Sequence, residues 1–128
     1  MNLYAILSII AGLSDLLMCI FMLIKGGERK ENRIWGYFCF FAFIWQAGSL
    51  GFSTTTSKDI AFFWWQIAHI GTITVPAMFF HFVCSYLGLK RRWLIFSAYS
   101  LVGIFLTYNF FYKELFIGDL RFSFNQFY

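Results

Sequence analysis

Residues 3–24 read LYAILSIIAGLSDLLMCIFMLI, an apolar stretch with one charge, at Asp15. A helix that crosses about 30 Å of hydrocarbon needs roughly 20 mainly apolar residues, so this stretch predicts a membrane-spanning helix. It lacks the basic start and the small-residue cleavage pattern of a secretory signal peptide, so we interpret it as a retained helix.

Three more stretches of the same kind follow, and polar or charged turns separate them. Together they predict an all-α membrane protein with four transmembrane helices that form the first part of a helical bundle. The predicted transmembrane region covers residues 1–112. Its spans are 3–24, 34–52, 60–87 and 93–112, and its turns are KGGERKENR (25–33), STTTSKD (53–59) and GLKRR (88–92).

The composition agrees with a membrane protein and excludes a typical soluble domain. Of the 128 residues, 60% are hydrophobic and only 12% are charged, whereas about 25% are charged in ordinary soluble domains. The net charge of +4 comes from short clusters between apolar stretches. Such clusters form no continuous basic face, so nucleic acid is not an expected partner and the lipid bilayer is.

The loop charges predict an orientation. Seven of the ten Lys and Arg residues lie in the turns 25–33 and 88–92. Short loops rich in Lys and Arg stay in the cytoplasm, so we expect a multi-pass protein of the inner (plasma) membrane with its N-terminus outside.

The same orientation places residues 113–128 outside the cell. Their sequence, KELFIGDLRFSFNQFY, alternates apolar and polar residues around Phe122 and Phe124, which predicts a short extended extracellular segment. A hydrophobic strand without a partner is typical of an interrupted protein, so we interpret this segment as truncated and the chain as the first part of a longer one.

Asp15 is the most informative polar residue within a predicted span. At about 100° per residue it shares one face with the small residues Ala5, Ser8, Gly12 and Cys19. Small residues allow close helix packing, so this face should point into the bundle. Asp15 is then either a polar contact between helices or an intramembrane coupling residue, for protons or for a signal.

The third span has two distinct faces. Gln66, His69 and Pro76 lie on one arc, which we expect to face the bundle, and Pro76 predicts a kink that can act as a hinge. The opposite arc is apolar and is expected to face lipid. It comprises Trp64, Ala68, Val75, Phe79 and Phe82.

Four polar residues on three spans lie at a similar predicted depth near the outer surface. They are Gln46, Gln66, His69 and Asn109. Polar groups are costly in hydrocarbon unless they face each other or a wet cavity. We therefore expect either a pocket for a small, partly apolar ligand, whose binding is transmitted through Pro76, or simple hydrogen bonds among these residues.

The remaining reactive side chains predict no catalytic or metal site. Cys19, Cys39 and Cys84 all lie within spans toward the cytoplasmic side, so a disulfide is not expected. His81 and Cys84 are three residues apart, a weak spacing for a metal or haem ligand pair. Catalytic signatures are missing from the sequence, and we expect neither enzymatic activity in this chain nor a cofactor.

The middle of the chain resembles a known family. NRxxGYF (32–38), the region of Trp45 and above all AFFWWQIAHIGTITVPAMFFHF (61–82) are similar to the N-terminal seven-transmembrane sensor region of bacterial membrane histidine kinases, which also precedes diguanylate cyclases. The resemblance implies three further spans and then cytoplasmic PAS and kinase or cyclase domains. It also implies a receptor of a two-component system that works as a homodimer and detects an unknown small-molecule signal.

Two other classes fit the same spans. A small four-span exporter would use Asp15 to exchange protons for a cationic drug, although its loops would carry a weaker charge bias than the one seen here. An accessory membrane subunit is the other alternative.

Overall fold

In its described residues the chain folds into four helices followed by two very short strands. The computed structural model describes residues 3–112 and the backbone of 122–123 and 126–127. The helices are α1 (Leu3–Lys25), α2 (Lys30–Thr54), α3 (Lys58–Tyr86) and α4 (Arg92–Phe111). Each lies within a few residues of a predicted span. The largest difference is in α2, which begins four residues earlier than expected because the polar residues of the loop complete its first turn.

Glycines terminate the helices at the two basic turns. Gly27 and Gly88 have φ angles of 68° and 66°, which favour glycine because other residues pay a steric cost there. After α3, the N–H of Gly88 donates to Ser85 and that of Leu89 donates to Cys84. This pattern is a Schellman motif, which fixes the short connection from α3 to α4.

Each helix packs antiparallel to the next one in sequence. The extensive contacts join α1 to α2 and α2 to α3, and a smaller interface joins α3 to α4. The helices therefore form a row in which α2 and α3 are the inner members. Of the residues of α4, only Val102 and Asn109 are buried.

The α1–α2 interface confirms the predicted small-residue face. Ala5, Ser8, Gly12 and Cys19 are the buried residues of α1. A methyl group added at Gly12 would lie 3.3 Å from Cβ of Gln46. Small side chains thus let the two helices approach closely.

The α2–α3 interface overturns one expectation. The apolar arc of α3 packs against α2 and does not face lipid, since Ala68 lies directly against the backbone of Gly48. Gly71 on the same side abuts Trp45. Aromatic rings complete the interface, with centroids 4.9 Å apart for Trp35 and Phe82 and 6.0 Å apart for Phe38 and Phe79. In a membrane, lipid is as apolar as leucine, so small residues locate an interface better than polarity does.

Three of the four helices are long and apolar enough to cross a membrane: α1, α3 and α4. Their outer faces are rich in exposed leucine, isoleucine and phenylalanine, as expected for side chains that contact lipid. The 25 residues of α2 are less apolar, with Gln46, Ser49, Ser53 and several glycines among them. This composition fits a helix that has protein on two sides.

Part of the predicted extracellular segment is described. Phe122–Ser123 (β1) and Gln126–Phe127 (β2) form an antiparallel pair in which Phe122 is opposite Phe127. The rest of the segment 113–128 lies outside the described residues.

Candidate functional site

Gln66, in the first third of α3, and Asn109, in the last turn of α4, join these two helices. The side-chain amide of Gln66 donates to the carbonyl of Asn109 at 2.9 Å, and that of Asn109 donates to the carbonyl of Gln66 at 3.1 Å. Asn109 is fully buried, with an exposed fraction of 0%. Its Oδ1 atom accepts no hydrogen bond within the described part of the chain. Two of the four residues predicted to share a level therefore meet directly.

His69 is close in sequence to Gln66 but bonds within its own helix. Its Nδ1 is 2.9 Å from the carbonyl oxygen of Trp65, and its ring packs against Trp65 with centroids 5.3 Å apart. The ring is half-buried. These contacts fix the orientation of the imidazole relative to α3.

Gln46 lies at a different interface. Its Cβ packs over Gly12, so it belongs to the contact between α1 and α2. The polar residues of the predicted pocket are thus divided between interfaces, with Gln66 and Asn109 at α3–α4 and Gln46 at α1–α2. Depth along the helix, which could be counted from the sequence, does not specify the direction in which a side chain points.

A groove of about 470 Å³ opens between α3 and α4, next to Pro76. The lining is almost entirely apolar. It consists of Thr72, Ile73, Pro76, Ala77, Phe80, Ala98, Leu101, Val102 and Phe105. Proline has no N–H, so the carbonyl of Thr72, four residues earlier, lacks its helical donor. Thr72 is itself a lining residue of the groove, and the apolar walls suit a small, partly apolar molecule.

A second polar link joins α3 and α4 on the other side of this groove. Nδ1 of His81 and the hydroxyl of Tyr99 are 2.9 Å apart, and the same hydroxyl donates to the sulfur of Met78 at 3.2 Å. The sequence pattern indicated His81 only as a weak metal ligand and predicted no role for Tyr99. A helical hairpin that turns at Gly88 brings residues 81 and 99 near each other. The position of this turn in the sequence could therefore have predicted the contact.

Asp15 occupies the position expected from its helix face. It is half-buried on the α2 side of α1, near Cys39. Among the described residues it forms no hydrogen bond or ion pair. A carboxylate in this position favours a protonated form or a nearby polar group, because an isolated charge within a bilayer is costly.

The three cysteines are free and buried, on α1, α2 and α3. Within residues 3–112, no group of three or more His, Cys, Asp and Glu side chains is placed to hold a metal ion. The chemistry of the described site is therefore hydrogen bonding and apolar contact.

Long apolar helices, short turns and polar links between the helices define a helical membrane protein. Residues 6–126 match the family described as the N-terminal 7TM region of histidine kinase, and the chain belongs to this family. The resemblance seen in the middle of the chain is thereby confirmed and extends over nearly the whole chain. No curated protein and no solved structure gives a significant match.

Proposed function

We propose that this chain is the part of a bacterial receptor that detects an external or intramembrane signal and transmits it to cytoplasmic kinase or cyclase domains. Membership of the family of N-terminal 7TM regions of histidine kinases supports this role. The receptor is a multi-pass protein of the inner membrane and works as a homodimer, with catalysis in domains outside the chain.

In this proposal α2 crosses the membrane with the other three helices. It packs beside α3 from Gly51, which contacts Trp64, to Trp35, which contacts Phe82. A helix that runs alongside a spanning neighbour over this length spans the same layer. The loop charges support an orientation with the N-terminus outside the cell and the basic turns 25–33 and 88–92 in the cytoplasm.

The arrangement of the α3–α4 interface is the observation that best supports the proposal. Two polar links, Gln66–Asn109 and His81–Tyr99, lie on either side of the groove at Pro76. This is the smallest of the three interfaces between helices. A relative shift of α3 and α4 requires little loss of packing, so we propose that this pair moves during signalling.

The signal in this scheme is a small, partly apolar molecule. It enters between α3 and α4, contacts the groove or the adjoining Gln66–Asn109 pair, and bends α3 at Pro76. A ligand shifts a conformational equilibrium only through different affinities for the two states. Bending of α3 would change the exposure of the Thr72 carbonyl. A ligand that hydrogen-bonds to this carbonyl would therefore have different affinities for the two states.

The test uses the complete receptor in membrane vesicles and measures transfer of phosphate from ATP to the receptor's own histidine. Asn109→Leu and Pro76→Ala should each change the basal rate several-fold, since both alter the α3–α4 relationship. Ser100→Ala is the matched control, because among the described residues the Ser100 hydroxyl bonds only to Phe96 of its own helix. Rates that are equal in all three variants, or a complete receptor without a kinase or cyclase domain, would contradict the proposal.

A further inference from the structure

A second cavity, of about 300 Å³, lies beside the last residues of α3 and the first residues of α2 and α4. Its polar lining comes from all three helices and the α3–α4 turn: Lys30, His81, Ser85, Lys90 and Arg92. No Asp or Glu is among the described residues that line it. Three cationic side chains therefore surround one space without a carboxylate. We call this space the basic cavity.

The convergence of these charges is more specific than the loop bias that sets membrane orientation. Orientation depends only on the number of cations in a loop, and any position in the loop serves. Lys25 and Arg91 belong to the same two loops but do not line the cavity. Glu31, the acidic neighbour of Lys30, lines a different groove together with Arg29. Only some of the loop cations thus line the cavity, and the nearby carboxylate of Glu31 is not among its described lining residues.

We propose that the basic cavity binds the phosphate of an anionic phospholipid headgroup. Basic pockets between transmembrane helices on the cytoplasmic side suit such headgroups, and this cavity lies at the ends of apolar helices. Its wall also includes the apolar residues Leu89 and Ile95. Trp93 and Phe96, on the adjoining first turns of α4, are 66% and 74% exposed. An acyl chain can lie along these side chains, whereas a free phosphate ion gains nothing from them.

The lining residues provide suitable donors. The guanidinium of Arg92 can form two parallel hydrogen bonds to phosphate oxygens, and the ammonium groups of Lys30 and Lys90 add charge. The His81 ring is held by Tyr99 at the edge of the cavity. A headgroup bound here connects the first residues of α2 and α4, two helices that share no extensive interface in the described part of the chain. This inference rests on the membrane placement of the helices and is independent of the proposed sensing role.

The test measures lipid binding to the whole protein in detergent by native mass spectrometry. The probes are dioctanoyl phosphatidylglycerol, which is anionic, and dioctanoyl phosphatidylcholine, which carries the same phosphate but no net charge. We expect phosphatidylglycerol to bind more tightly. Each surface cation contributes enough to change affinity about fivefold. Lys30→Gln/Arg92→Gln should therefore weaken phosphatidylglycerol binding on the order of 25-fold.

The matched control is Lys25→Gln/Arg91→Gln, which removes one charge from each of the same two loops. It should leave binding nearly unchanged. Equal losses in the two double variants would overturn the proposal, because affinity would then follow net charge alone. Displacement of the lipid by millimolar inorganic phosphate would also overturn it, in favour of a free phosphate site. If the lining variant loses its helical circular dichroism, Lys90→Gln takes its place, with an expected loss of about fivefold.

Discussion

Gln66 and Asn109 each donate a side-chain hydrogen bond to the backbone carbonyl of the other. This reciprocal pair fixes which residue of α3 lies opposite which residue of α4. The carbonyl of Gln66 lies inside α3 and already accepts a helical hydrogen bond, so the Asn109 amide uses its second lone pair. The carbonyl of Asn109 lies in the last turn of α4, where carbonyls lack a helical donor, and the Gln66 amide supplies one. The pair therefore sets the register of two helices whose apolar contact is small.

Replacing Gln66 by leucine should weaken the α3–α4 interface. We expect the free energy of unfolding in detergent micelles to fall by about 1 kcal/mol, the usual net value of such a hydrogen bond. Asn109→Leu should cost less, because it also removes the unpartnered Oδ1 atom. The measurement is unfolding followed by circular dichroism. Ser100→Ala serves as the control, and a Gln66→Leu protein as stable as this control would show that the pair contributes nothing.

Gly48→Ala should disrupt the α2–α3 interface. The added methyl group would overlap the backbone of Ala68, which cannot move as a flexible side chain does. Overpacking of this kind costs about 1–3 kcal/mol. The same substitution at Gly103 is the control, since a methyl group there meets no atom within 4 Å. Unfolding of the two variants under identical conditions gives the comparison, and equal stabilities would refute the close approach.

Cysteine labelling tests the orientation. In a background with Cys19, Cys39 and Cys84 replaced by alanine, we introduce Thr55→Cys or Arg29→Cys. A membrane-impermeant maleimide applied to intact cells should label the cysteine at position 55, and should label that at 29 only after permeabilisation, because the proposed orientation has the basic turns in the cytoplasm. The reverse pattern would place the N-terminus inside.

Substitutions of Asp15 separate the sensor from the exporter alternative. Asp15→Asn keeps a polar group against α2 and should preserve stability, whereas Asp15→Leu should alter α1–α2 packing in a thermal melt. If the chain were an exporter, Asp15→Asn alone would abolish proton-coupled efflux of a cationic drug from cells. Stability unchanged by either substitution would mean that Asp15 has no role in packing.

The number of helices, their approximate bounds and the buried face of α1 could be predicted from the sequence, because each depends on the local order of apolar and small residues. The buried face of α3 could not be predicted from polarity. Ala68 and Gly71 marked its interface with α2, while Gln66 marked a different one with α4. The sequence prediction grouped Gln46 with Gln66 and Asn109, although Gln46 lies at the α1–α2 interface and the other two lie at α3–α4. The partner of a polar side chain depends on how neighbouring helices are arranged, which the sequence does not show directly.

The row arrangement has a consequence for biogenesis. Since each extensive interface joins helices that are consecutive in the chain, every helix can dock on its predecessor as soon as it leaves the ribosome and enters the bilayer. Contacts that are local in sequence also form quickly, because little loop entropy is lost in closing them. The order of synthesis can therefore serve as the order of assembly, with α1 and α2 as the first stable unit and α4 as the last and loosest addition.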